Sequence, residues 1–248
     1  MIPLRDHNPS GRVPYVTYAL IAANTLVFLS YWPLLSDPRA AAAFFGQWAM
    51  IPVLVTQQGD WMPVLTSMFL HGGLLHLAGN MLFLWIFGDN MEDEMGHVGF
   101  LAFYLACGIA AALMQVMAAP YSRVPMVGAS GAIAGVMGGY ILLFPRARVD
   151  ILIILIVFVQ IITIPAWLML ALWFIFQLIG GVGMDAASGG VAYWAHTGGF
   201  VAGAALTLPV FLRRGGARFW QRTHGLPPHP VADNRYGRTN VPRVRRRK

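Results

Sequence analysis

Apolar residues run along this chain in long blocks, separated by short polar or Gly/Pro-rich stretches. A block of roughly 20 apolar residues is enough to cross a bilayer core as a helix. The first block runs from Tyr15 to Leu35. A mixed segment follows, Ser36 to Pro63, broken by Pro38, Pro52, Gly59 and Asp60. Its Phe44, Phe45, Trp48 and Trp61 suit a membrane interface. The pattern predicts a second span from Gly73 to Gly88, a polar loop at Asp89 to Glu94, and a third span from Val98 to Ala118. A fourth, Ala129 to Phe144, ends at the basic run Arg146 to Arg148. The apolar stretch Val149 to Gly180 contains Pro165. Its Ile- and Val-rich part before the proline is too short to span, so it reads as an interfacial or re-entrant loop, with a fifth span from Pro165 to Ile179. The alternative is one long helix kinked at Pro165. The sixth span is Val191 to Leu212.

The expectation is therefore an all-α membrane protein, a six-transmembrane-helix bundle. It has a polar segment at 1–14, a helical domain at 15–212 and a basic, disordered tail at 213–248. Composition agrees, since 57% of residues are hydrophobic and only 11% are charged. A soluble domain carries roughly 25% charged residues to keep its surface wet. Of the 17 basic residues, 11 lie between Arg213 and Lys248, beside a single acid, Asp233. No folded nucleic-acid module accompanies this tail, so nucleic acid is not expected as a partner. Next to a membrane span, such a tail marks the cytoplasmic side and meets anionic headgroups of the lipid bilayer. Six spans put both termini on one side together with Arg146 and Arg148, as the positive-inside rule prefers. Met1 to Pro14 contains no apolar h-region, so the first span is expected to act as its own insertion signal. The single cysteine, Cys107, excludes an intrachain disulfide.

Polar groups inside apolar helices are costly and call for a reason. The second span opens with His71 at its mouth, then His76 and Asn80; the fourth opens Gly128-Ala129-Ser130-Gly131; the sixth contains Ala195-His196-Thr197-Gly198-Gly199. The fourth span has 16 residues. At 1.5 Å per residue it reaches roughly 24 Å, short of the roughly 30 Å hydrocarbon core. Ser130 should then lie at a submerged helix N-terminus, where non-helical backbone requires surrounding protein or a water-filled cavity. Gly131, Gly135 and Gly139 form one stripe of small residues, and Ala195, Gly199 and Gly203 form another. Such stripes let membrane helices approach closely. If they meet, the Ser130 hydroxyl comes within reach of the His196 imidazole, which then acts as general base. His76 and Asn80 share a helix face and, with the Ser130 N–H, suit an oxyanion site.

Each residue alone is as well explained by packing: serine and asparagine are common in helix interfaces, and a buried histidine needs no chemistry. Their joint occurrence shifts the balance. No acid lies within the fourth or sixth span, and Asp185 in the preceding loop is the nearest to His196 in sequence. The pattern reads as a dyad.

These pieces together resemble the rhomboid family of intramembrane serine proteases. The matching parts are Leu70-His71 with His76 and Asn80, Gly128-Ala129-Ser130-Gly131, and Ala195-His196 with Gly199 and Gly203; Glu92 and Gly96 match too. The resemblance covers residues 60 to 205 and implies a six-helix bundle. It implies catalytic Ser130 and His196, with an oxyanion site from the Ser130 backbone, His76 and Asn80. It also implies cleavage of transmembrane protein substrates near their outer boundary without a cofactor or metal, and a bacterial cytoplasmic membrane location. There are departures. Asp60-Trp61-Met62-Pro63 lacks the family's Trp-Arg arginine, and Ala134 stands where some members stack a tyrosine on the histidine.

Other classes fit less well. An α/β-hydrolase elbow needs glycine where Ala132 stands. A zinc protease needs H-E-x-x-H, which is absent. Transporters often show repeated halves, and none is visible. A catalytically inactive relative that binds membrane helices remains the alternative. The oligomeric state and natural substrate are not encoded legibly.

Overall fold

The computed structural model describes residues 2–155, 158–183 and 190–228. In chain order the elements are β1 (Ile2–Asp6), α1 (Tyr15–Tyr31), α2 (Pro38–Trp48), α3 (Pro52–Gln58), α4 (Met62–Thr66), α5 (Leu74–Met95), α6 (His97–Ala118), α7 (Ser130–Leu143), β2 (Arg148–Leu155), β3 (Phe158–Pro165), α8 (Ala166–Gly183), α9 (Tyr193–Arg213) and α10 (Ala217–Thr223). Four described helical segments are long and apolar enough to cross a membrane: Tyr15–Ser36, His97–Ala118, Ala166–Gly183 and Tyr193–Arg213. Met62–Phe69 and Leu74–Met95 form a pair bent by 90°. The shorter apolar helix Ser130–Leu143 is enclosed by the others, with Ala134, Val136 and Tyr140 fully buried.

The long helices pass back and forth between two ends of the bundle. At one end the three-stranded sheet gathers the chain's N-terminal strand, the C-terminus of α7 and the start of α8. At the other, Met50 and Met126 pair as an isolated β-bridge, and Val53 donates to the Ser122 carbonyl at 3.0 Å. These bonds tie the α2–α3 region to the segment that leads into Ser130.

Residues 148–155 and 158–165 are neither a re-entrant loop nor part of a kinked helix. They form two antiparallel strands, paired from Arg148 with Pro165 to Leu155 with Phe158, and β1 adds to the edge of β2. The physical reason lies in side chains that alternate. Val149 and Ile151 are buried in the core. Asp150 faces the other way and accepts from Arg5 at 2.8 Å and Thr163 at 2.6 Å, with His7 at 2.9 Å. β-branched residues fit that pleated, half-buried surface. Burial works against the Asp150 charge, but the hydrogen bonds from Thr163, His7 and Arg5 outweigh it and hold the carboxyl at about 2.

Two further boundaries move. Asp89 to Glu94 is not a loop but the last turns of α5, because its acids serve neighbouring elements. Glu92 accepts from the N–H groups of Val16 and Thr17 at 2.9 and 2.8 Å, which supplies the N-terminal cap that α1 lacks in its own sequence. Glu94 pairs with Arg214 at 2.6 Å, joining the ends of α5 and α9. The start of the tail is also ordered: α10 seats Phe219 in the core, and Trp220 donates to the Leu142 carbonyl at 3.0 Å. Residues 229–248 lie outside the described part. Within the segment 1–14, β1 belongs to the sheet.

Candidate functional site

Glycine decides how closely α7 and α9 approach. A Cβ on Gly199 would lie 2.0 Å from the Gly131 carbonyl oxygen, and one on Gly203 would lie 1.9 Å from that of Gly135. Both clashes are with backbone, which cannot swing aside. From α7, Gly138 also faces α9, where a Cβ would meet the Phe200 carbonyl oxygen at 2.0 Å, and one on Gly139 would meet Thr207 Oγ1 at 2.5 Å. Gly131 and Gly135 turn mainly toward α6, against Ala111 and Cys107 at 2.5 and 2.4 Å. The α9 stripe thus presses onto the backbone of the α7 stripe, while the side-chain faces of the α7 stripe are shared between α6 and α9.

This close packing brings together the first turns of two helices that are distant in sequence. Ser130 begins α7, and His196 lies in the first turn of α9. Ser130 Oγ and His196 Nε2 are 2.8 Å apart. They line a cavity of about 540 Å³ that also includes His76, Asn80, Gly128 and Trp173. At 1.5 Å per residue, the 14 residues of α7 extend about 21 Å, so its N-terminus stays below a surface roughly 30 Å from the other.

The remaining predicted residues fall around this pair. The Asn80 side chain is only 7% exposed, and its amide nitrogen has no hydrogen-bond partner, leaving a buried donor free for a ligand oxygen. Gly72 N–H points at His76 Nδ1 at 3.4 Å, which assigns the ring proton to Nε2. Gly128 has φ of +129°, and a Cβ there would sit 2.9 Å from the His76 ring, so no side chain fits. His71 is fully buried beneath the site; its ring meets that of His76 edge-on at 5.1 Å and does not line the cavity. Gly135, Gly199 and Gly203 act only through packing.

Three participants escaped the sequence reading. His196 Nδ1 lies 2.8 Å from Gln177 Oε1 on α8. The Trp173 ring, one turn earlier, lies 5.8 Å from the imidazole at an interplanar angle of 36°. Tyr31 at the end of α1 donates its hydroxyl to the His71 carbonyl at 2.8 Å and accepts from the His71 N–H at 2.6 Å. That reciprocal pair fixes the chain before α5. A lone glutamine among apolar residues is the same kind of signal as Asn80, and α8 offered it. Asp185 lies outside the described residues.

Helices long and apolar enough to cross a membrane, packed around a buried polar centre, mark an integral membrane protein. Residues 58–213 match the family model of the rhomboid domain, more than half of the chain. The chain belongs to the rhomboid family. It is 44% identical over 81 residues to rhomboid protease GluP of Bacillus subtilis, covering 33% of this chain and 15% of that protein. It is 31% identical over 142 residues to mitochondrial rhomboid protein 1 of Saccharomyces cerevisiae, covering 54% and 38%. Human mitochondrial presenilin-associated rhomboid-like protein is 33% identical over 137 residues, covering 54% and 34%. The chain thus spans well under half the length of these relatives.

Proposed function

We propose that this protein is an intramembrane serine endopeptidase that cleaves transmembrane segments of membrane proteins. The observation that carries this reading is the 2.8 Å contact of Ser130 Oγ with His196 Nε2 inside the cavity. In the proposed mechanism His196 takes the hydroxyl proton as Ser130 attacks the scissile carbonyl, then returns it to the leaving amine. The developing oxyanion is met by the Ser130 N–H at the helix start, the His76 Nε2–H and the Asn80 amide. Water enters through the cavity for deacylation, and no cofactor or metal takes part. The catalytic unit is residues 15–212, as six spans, with Gly128 and the α7–α9 glycines holding its shape.

The location that fits is a bacterial cytoplasmic membrane. Two of the three relatives described above carry mitochondrial names, and membrane preparations from the native source would separate the locations. An inactive, helix-binding relative is the other reading; the retained serine–histidine contact speaks against it. The test is cleavage of a single-span membrane substrate in detergent, alongside labelling by a fluorophosphonate probe. Ser130→Ala and His196→Ala are expected to abolish cleavage with folding intact, and Ser130→Ala to abolish labelling. Asn80→Ala should retain some activity, since one oxyanion donor is worth roughly 10²–10³ in rate and others remain. Wild-type cleavage by Ser130→Ala would refute the dyad.

A further inference from the structure

The charge-bearing acids play no part behind His196 among the described residues; the partner of its Nδ1 is a neutral amide. Gln177 is 8% exposed and sits in the otherwise apolar helix α8. Its Nε2 donates back to the Trp173 carbonyl at 3.4 Å, which orients the amide so that Oε1 faces the ring at 2.8 Å. An amide oxygen can only accept, so the imidazole carries its proton on Nδ1. Nε2 is then left bare to accept from the Ser130 hydroxyl, 2.8 Å away.

We propose that Gln177 is a positioning residue for the dyad, fixing the tautomer and the rotation of His196 while Trp173 confines the ring from the side. The inference rests on the dyad reading. It takes the orienting role that a carboxylate fills in a triad and gives it to a group without charge. Such a group selects the tautomer but lends the imidazolium formed during attack less electrostatic support than a carboxylate would. Gln177 and Trp173 are four positions apart, so one face of α8 supplies both restraints. Neither lies on the helices that carry the serine or the histidine.

Two substitutions separate this role from packing. Gln177→Leu keeps bulk and removes the acceptor. It should lower kcat about 10- to 100-fold, at or below the low end of the roughly 10²–10⁴-fold that a general base contributes, because the base itself remains. KM should stay within about twofold, because the residue does not bind substrate, and labelling of Ser130 by a fluorophosphonate should slow in parallel. Gln177→Glu keeps an acceptor at the same reach and adds negative charge. It should retain more activity than the leucine variant and move the acid limb of the kcat–pH profile upward by about one unit, since a nearby anion favours the charged imidazole. A purely structural residue would not move that limb. Wild-type kcat in Gln177→Leu, or an unshifted profile in Gln177→Glu, overturns the proposal, and the second result decides if the leucine variant does not fold. Ser130→Ala runs in parallel: if it is dead while both Gln177 variants behave as wild type, the dyad stands and only this inference falls. If Ser130→Ala cleaves, the dyad reading falls first.

Discussion

Asp6 shows how strongly a single side chain depends on what the fold places around it. Its Oδ2 accepts from the Tyr140 hydroxyl at 2.6 Å where β1 meets α7. Burial pushes its pKa up from 3.8 to about 8; the tyrosine bond pulls it down, and the charge of Asp89 raises it further. The folded protein therefore holds a proton that the unfolded chain gives up near pH 3.8. The stability contributed by this group is fully present below about 3.8 and is lost as pH rises through about 8. Asp6→Asn is expected to flatten the fall of thermal midpoint between pH 6 and pH 9, and to melt higher than wild type at the alkaline end. Equal slopes for the two proteins in detergent would refute the argument. At the same scale, Ser130, His196, His76 and Asn80 were legible because each interrupts an apolar helix. Gln177 carries the same mark. An amide oxygen accepts from an imidazole N–H as a carboxylate does, but nothing in the sequence places Gln177 beside His196.

Among the elements, the helices of the bundle announced themselves by length and hydropathy, whereas the strands β2 and β3 did not. Short apolar runs fit a strand, a buried helix or an interfacial loop, and periodicity alone does not separate them. What decides the case is β1, more than a hundred residues away, which adds to β2 and brings Arg5 to Asp150. No local window contains that information. The glycine stripes are sites of close approach, and the partner of the α7 stripe is α6 as much as α9. The mutational expectation follows the contacts. Gly199→Leu should abolish cleavage and lower the melting midpoint, because its side chain would meet the Gly131 backbone. Overpacking of this kind typically costs about 1–3 kcal/mol, and a 1 Å misplacement of reacting groups about a hundredfold in rate. Gly135→Leu presses instead on the Cys107 side chain, Cβ and Sγ alike, so Gly135→Leu combined with Cys107→Gly, which removes both atoms, should recover more stability than any second change on α6 recovers for Gly199→Leu. Wild-type melting and cleavage by Gly199→Leu would show that the helices do not meet through that residue.

For the whole molecule, orientation in the membrane follows from where the fold collects its cations. Arg5, Arg146 and Arg148 sit in or beside the sheet, and Arg213, Arg214, Arg218 and Arg222 follow α9 at the same end of the bundle. In the connections at the other end, among the described residues, only Arg39 and Arg123 are basic. Positive charge close to the ends of spans favours the cytoplasmic side, and acids such as Asp93 and Glu94 count for little. The sheet end should therefore be cytoplasmic, with the cavity opening toward the opposite face. The sheet makes this stronger than a charge count, because β1 and the α7–α8 connection pair strand to strand and cannot lie on opposite sides. Any topology that moves the N-terminal segment must move Arg146 and Arg148 with it. The expected result is that single cysteines introduced at Arg5 and Arg222, in a Cys107→Ala background, resist a membrane-impermeant maleimide in intact cells and react after permeabilisation. Cysteines at Arg39 and Arg123 should react before it. Labelling of the Arg5 position from outside, with Arg123 protected, would invert the molecule and place the cavity on the cytoplasmic side.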